Sequence, residues 1–155
     1  MTDSLKRVLC VVESTDKFDA IDETIAKCSI FSELPDKERF IKAVHRRERQ
    51  QSTGIGHGVA IAHGRLPHLD QPVIALGYSK EGIIFDDKYP DPVSLIFVIA
   101  SSQNRDAEYL KAVSSLLTWV HDPDFRRSLL SADKSDERVS AFLSMLEMQD
   151  FHPQY

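Results

Sequence analysis

The sequence is poor in the residues that several common kinds of site require. Among 155 residues there are two cysteines, Cys10 and Cys28, and no Cys-x-x-C pair. A thiolate zinc site and a dithiol redox centre of that motif are therefore excluded. Each cysteine sits in an apolar pattern and reads as a buried thiol in a reducing compartment. No Gly-x-Ser-x-Gly elbow occurs, so a serine hydrolase of that type lacks its strained nucleophile. No Walker Gly-Lys-Ser/Thr element is present either, which removes the lysine and hydroxyl a P-loop needs. The N-terminal apolar run, Val8 to Val12, falls far below membrane length, and no signal peptide or spanning helix is found. A cytoplasmic protein without direct membrane insertion is expected. Positive charge is not in excess: the formal net charge is −5, which disfavours nucleic acid and anionic membrane as primary partners. Cations instead gather locally, in Arg46, Arg47 and Arg49 and again in Arg126 and Arg127, as suits a small anionic ligand or an acidic patch on a partner.

What is present suits a single domain with its own core. Arg7 to Glu13 is β-branched and apolar and reads as a first strand. Ser14, Thr15 and Asp16 offer N-caps to a helix whose inner face is Phe18, Ile21, Ile25 and Cys28. Ser29 to Leu34 reads as a loop, and Pro35 as the opening of a helix burying Phe40, Ile41 and Val44. Val59 to Ala62 suits a strand covered on both faces, followed by a proline-marked loop from Gly64 to Pro72. Val73 to Tyr78 is another strand, Ile83 to Phe85 a short edge strand, and Val93 to Ala100 the central one. A helix capped by Ser102 or Asn104 then presents Leu110, Val113, Leu117 and Val120, followed by helices carrying Phe125, Leu129 and Leu130 and then Val139, Phe142, Leu143 and Leu146. Strands between terminal helices predict an α/β single domain, a mixed sheet flanked by helices, over residues 1–147. Residues 148–155 are expected to form a polar, frayed tail.

The chemistry concentrates between Arg47 and Arg65, which hold four of the six glycines, two of the six histidines and three arginines. Glycines let backbone N–H groups approach an anion, and arginines supply fixed positive charge. His57, His63 and His68 stand six and five residues apart, spacings that fit neither a helical His-x-x-x-His pair nor a zinc finger, so no metal is expected. Gly54-x-Gly56-x-Gly58 leads into a strand-like run rather than a helix, so the helix dipole of a dinucleotide site is missing. Two readings of the stretch remain. One is phosphoryl handling by a histidine, which needs positioning and charge neutralisation but neither metal nor cofactor. The other is a turn-and-core segment with no chemistry.

The segment Arg47-Glu48-x-x-x-Ser52-Thr53-Gly54-Ile55-Gly56-x-Gly58-Val59-Ala60-Ile61-x-His63-Gly64-Arg65 resembles the signature of the fructose/mannitol-type enzyme IIA domain of the bacterial phosphotransferase system. That family includes the stand-alone nitrogen-regulatory IIA proteins. The similarity continues through Leu66-Pro67-x-Leu69-Asp70-x-Pro72-Val73, Gly82-Ile83-x-Phe85-Asp86 and Pro92-Val93-x-Leu95-Ile96-Phe97, and more weakly into the closing helices. The resemblance implies the family's mixed-sheet fold and the work of a phosphotransferase component with a phosphohistidine intermediate at His63. The donor it implies is an HPr-like phosphocarrier protein, and the acceptor a IIB component or a regulatory target. Arg47 is implied beside the phosphoryl oxygens, with Thr53, Gly54, Gly56, His57, Arg65 and Tyr109 as supporting residues. Modification on the distal ring nitrogen is implied as well.

Three positions depart from the family pattern. Ala62 stands where proline usually precedes the active histidine, which frees a backbone angle that proline would fix. His57 replaces an asparagine or other small polar residue. Tyr109 takes the place of a second histidine found in many members; it can hydrogen-bond an oxygen or the His63 ring but does not titrate near neutrality, which points to a regulatory member.

Overall fold

The computed structural model describes residues 2–151 other than 89 and 134. A short helix, α1 (Asp3–Lys6), precedes strand β1 (Leu9–Val11). Asp16 is the cap chosen for helix α2 (Lys17–Lys27), its carboxylate accepting the N–H groups of Phe18 and Asp19. The expected loop that follows is wound into a 3-10 turn, Ser29–Glu33, which buries Ile30 and Phe31. Helix α3 (Lys37–Gln50) starts two residues after Pro35, because Asp36 serves as its cap and accepts from Arg39 N. Strands β2 (Gly54–Gly56), β3 (Val59–Leu66), β4 (Val73–Ile83) and β5 (Val93–Ser102) follow, then helices α4 (Asp106–Val120), α5 (Pro123–Leu130) and α6 (Glu137–Met148).

The sheet order is β1-β4-β5-β3-β2. β1 runs parallel to β4, and β3 parallel to β5; the β4–β5 and β2–β3 pairs are antiparallel. The sheet is mixed, and the most apolar run of the sequence is its central strand. Helices α2 and α3 cover one face. A Cβ on Gly77 would lie 2.3 Å from Thr24 Oγ1, and one on Gly64 would lie 2.8 Å from Val44 Cγ2. The other face is covered by α4, α5 and α6, where Phe97 meets Phe142 edge-on and Trp119, Phe125 and Phe142 pack ring to ring. Both layers are apolar because both faces of β3 and β5 are buried.

Several elements differ from the sequence-based expectation. β3 continues past Ala62 to Leu66, in unbroken register with Leu95 to Ser102 of β5, so the predicted loop starts later. No separate edge strand forms at Ile83; the residue ends β4 and pairs with Val93 after a register shift between Tyr78 and Ile83, a stretch that includes Gly82 with φ of +82°. Helix α4 has Arg105 at its N-cap, with no side-chain cap, because the Ser102 hydroxyl donates to Asn104 Oδ1 instead. Its inner face is Ala112, Ser115, Leu116, Trp119 and Val120, while Leu110 is 63% and Leu117 41% exposed. Trp119 offers more apolar area than either leucine, and burying its indole among Phe125 and Phe142 sets the rotation of the helix. The chain after α6 is tied down as far as Phe151. The Gln149 amide accepts from Ile74 N and donates to Ile74 O, and Phe151 is buried; residues 152–155 of the expected tail lie outside the described part. Both cysteines are free and buried. No helix among the described residues is long and apolar enough to cross a membrane.

Candidate functional site

Position along β3 decides which residues can meet. Its residues alternate between faces: Ala60, Ala62 and Gly64 look toward α2 and α3, while Ile61, His63 and Arg65 look toward α4. Gly64 has no side chain, and α3 takes that space, with Val44 N 3.0 Å and Ala43 Cβ 3.1 Å from where a Cβ would stand. Arg47 lies three and four residues beyond these contacts, one turn along the same face of α3. The close approach therefore delivers Arg47 to the edge of β3 beside His63. Its Nη1 donates to Gln51 O at 2.6 Å, fixing the guanidinium at the end of the helix. On the other side, the His63 ring stacks on Tyr109 of α4, with centroids 5.0 Å apart and planes at 29°. Arg65, two residues along β3 on the His63 face, pairs with Asp106 in the first turn of α4 at 3.2 Å.

Arg47, His63 and Arg65 line a shallow groove of about 280 Å³ together with Arg46, Gln50, Gly64 and Gln103. Its electrostatics favour a neutral imidazole. Burial, with help from the positive charges of Arg47 and Arg65, holds His63 down to about 4. At neutral pH the ring therefore keeps a free lone pair without help from a base. Burial raises the Tyr109 phenol, against the pull of Arg65 and Arg47, so it stays a protonated donor. A nucleophilic nitrogen, two guanidinium charges and a phenolic hydroxyl make a place where a phosphoryl group can be received and its oxygens neutralised.

The glycine stretch does not wrap this groove. Gly54 and Gly56 form β2 and pair with Ala60 and Val59. His63 lies three and four residues farther along β3, about 10–13 Å away at the rise of an extended chain. Gly54, Gly56 and Gly58 line a different groove, facing Phe85, Asp86 and Asp91, where two carboxylates oppose an anion. His57 and Gly58, with φ of 58° and 78°, are the central pair of a two-residue hairpin, which requires positive φ at both. Asparagine is the favoured residue at that first position, and histidine also tolerates it better than most. His57 is thus an exposed turn residue that does not line the His63 groove. His68 is likewise exposed and does not line the His63 groove.

Thr53 does not line the His63 groove and is turned to a carboxylate instead. It is 5% exposed, and both its N–H and its hydroxyl donate to the Glu48 carboxylate. Glu48 stands in the quoted signature, but the sequence reading gave it no role. Its side chain is fully buried and forms an ion pair with Lys17 Nζ at 3.0 Å, while Lys17 also donates to Phe85 O at 2.8 Å. One carboxylate thereby ties the last turn of α3, the N-terminus of α2 and the hairpin entry together, immediately next to Arg47. The signal was available: an acid inside the cationic run His45 to Arg49 sits at a helix C-terminus, against the dipole, and needs a local cation or donor to be there. Gln50 and Gln103 in the groove carried no such signal, whereas Arg46 belongs to the cationic cluster already noted. His45 is held between helices, 2.7 Å from Asp22 and against the Phe18 ring.

Residues 4–145 match the family described as phosphoenolpyruvate-dependent sugar phosphotransferase system, EIIA 2. The chain is 34% identical over 125 residues to the PTS system fructose-specific EIIABC component of Bacillus subtilis, covering 81% of this chain and 20% of that protein. It thus spans about a fifth of that relative's length. Among solved structures, it is similar to the nitrogen regulatory protein IIA-Ntr from Neisseria meningitidis, with a TM-score of 0.75 and 30% identity over 90% of this chain and 94% of that one. The complex of enzyme IIAMTL and phosphorylated enzyme IIBMTL from Escherichia coli matches with a TM-score of 0.67 and 18% identity, over 93% of this chain and 96% of that one, and shows the shared fold.

Proposed function

Because the chain belongs to the phosphoenolpyruvate-dependent sugar phosphotransferase system EIIA 2 family, we propose that it carries a phosphoryl group on His63. The donor in this reading is an HPr-like phosphocarrier protein, and the acceptor a IIB component, like the partner named in the mannitol-type complex. The carrier works in the cytoplasm. The observation that carries the reading is the neutral, half-buried His63 ring, stacked on Tyr109 and flanked by Arg47 and Arg65. The imidazole nitrogen attacks phosphorus while Arg47 and Arg65 meet the equatorial oxygens. Tyr109 braces the ring from its face and offers a hydroxyl at the rim. No metal or cofactor enters this step.

The test is incubation with enzyme I, HPr and phosphoenolpyruvate. Acid-labile, base-stable label is expected on the wild type and none on His63→Ala. Label that persists on the alanine variant refutes the assignment.

A second reading is favoured by the likeness to the nitrogen regulatory protein, at 30% identity, and by Tyr109 in the place of a second histidine. In it the same phosphorylation, a change of about two negative charges, switches which protein docks at the His63 face. A pull-down comparing the unmodified protein with His63→Asp separates the readings: unequal recovery of a partner supports the switch, and equal recovery argues against it.

A further inference from the structure

Arg65 faces two anionic demands at once. It lies on the His63 side of β3 and lines the His63 groove, and its positive charge acts on both the His63 and Tyr109 rings. Yet its guanidinium is paired with Asp106 Oδ1 at 3.2 Å, across the gap between β3 and the first turn of α4. Both partners are open to solvent, with side chains 44% and 60% exposed, so the pair can separate at small cost. The neighbouring pair, Arg105 with Glu108 at 3.7 Å, is engaged within α4 and offers Asp106 no substitute within that turn. Arg47 is differently placed, since its partner is a backbone carbonyl and carries no net charge to compete with a ligand.

We infer that Asp106 is a positioning residue that holds Arg65 in reserve, and that Arg65 exchanges this carboxylate for phosphoryl oxygens when His63 is phosphorylated. The inference rests on the phosphoryl-carrier reading. In the transfer step the lone pair of a neutral His63 nitrogen forms the new P–N bond as the P–N bond of the donor phosphohistidine breaks. The donor ring keeps that bonding pair and leaves as neutral imidazole, so no proton has to move. The incoming group brings about two negative charges to the groove, and Arg65 is the mobile cation within reach of both sites. Asp106 competes with the phosphoryl group for that cation. It therefore keeps the phosphohistidine less stable than it would otherwise be, and the group easier to pass on.

The experiment equilibrates the protein with a phosphorylated HPr-like carrier at low salt and measures the labelled fraction of each. Asp106→Asn is expected to shift the ratio toward the labelled protein about two- to fivefold, as fits an exposed pair, with the gain shrinking in high salt. Asp106→Glu is expected to restore the wild-type ratio. In an Arg65→Gln background, Asp106→Asn is expected to change nothing, a result that a purely structural role for Asp106 at the helix start would not produce. A wild-type ratio in Asp106→Asn, or an equal shift with and without Arg65, overturns the inference while leaving the carrier reading intact. A wild-type protein that takes no label overturns both.

Discussion

Lowering the pH is the perturbation to which His63 should respond most distinctively. An unperturbed histidine titrates near 6.5, and this one is held at about 4 by burial and by Arg47 and Arg65. At pH 5.5 an ordinary imidazole is only about 9% neutral, whereas one titrating near 4 is about 97% neutral. Phosphoryl acceptance by His63 should therefore be almost flat from pH 7 to pH 5.5, where an unperturbed acceptor would lose about eightfold. The same shift makes a stability prediction. Because the folded protein binds this proton less readily than the unfolded chain, stability is fully present above about pH 6.5. It is lost as the pH falls from there toward 4, in total about 3 kcal/mol. Between pH 7 and pH 4.5 the His63 share of that loss is about 2 kcal/mol. Carboxylates titrate in the same window, so the comparison is between wild type and His63→Gln, each unfolded by urea at both pH values. The variant should lose less stability by that amount. Ring-proton spectra across the range give the midpoint directly. A midpoint near 6.5, or equal acid sensitivity of the two proteins, refutes the claim that the site is built to keep this ring neutral.

Three further outcomes follow from the packing around the site. Glu48→Ala leaves Lys17 without its carboxylate and the Thr53 donors unmet, and denaturant unfolding should show a loss of about 3–5 kcal/mol; a loss below 1 kcal/mol would remove Glu48 as the tie between α2, α3 and the hairpin. Gly64→Ala puts a methyl group 2.8 Å from Val44 Cγ2. It should cost about 1–3 kcal/mol and, by pushing α3 and Arg47 outward, raise the His63 midpoint toward 6.5, measurable by ring-proton titration. His57→Asn keeps the hairpin geometry and should leave both stability and labelling of the protein unchanged; a lost label would return His57 to the site.

How much of this was readable in the sequence depended on whether the cause was local. The central strand was legible because eight nearly unbroken apolar residues, Val93 to Ala100, can only be buried on both sides. The cap at Asp16 was legible because capping is an affair of three residues. The helix α4 stripe was misphased because four aliphatic residues at helical spacing outvoted one tryptophan, whose partners Phe125 and Phe142 come later in the chain. His63, Arg47, Arg65 and Tyr109 were named from the resemblance, and the fold supplies the reason they meet: Gly64 admits α3 on one face while α4 crosses the other. The glycine-rich turn lies apart from the His63 groove because a strand extends rather than folds back: the partners of Gly54 and Gly56 on β3 stand three and four residues before His63. Glu48 was missed because its cation, Lys17, is supplied by another helix.

The most direct measurement of the central claim is a long-range proton–nitrogen spectrum of the histidine rings, recorded before and after phosphorylation by enzyme I, HPr and phosphoenolpyruvate. The His63 distal ring nitrogen is expected to shift to a phosphorylated position while the rings of His57 and His68 stay where they were. An unchanged His63 ring in a protein that has taken up phosphate, or a shift at either other histidine, would contradict the account.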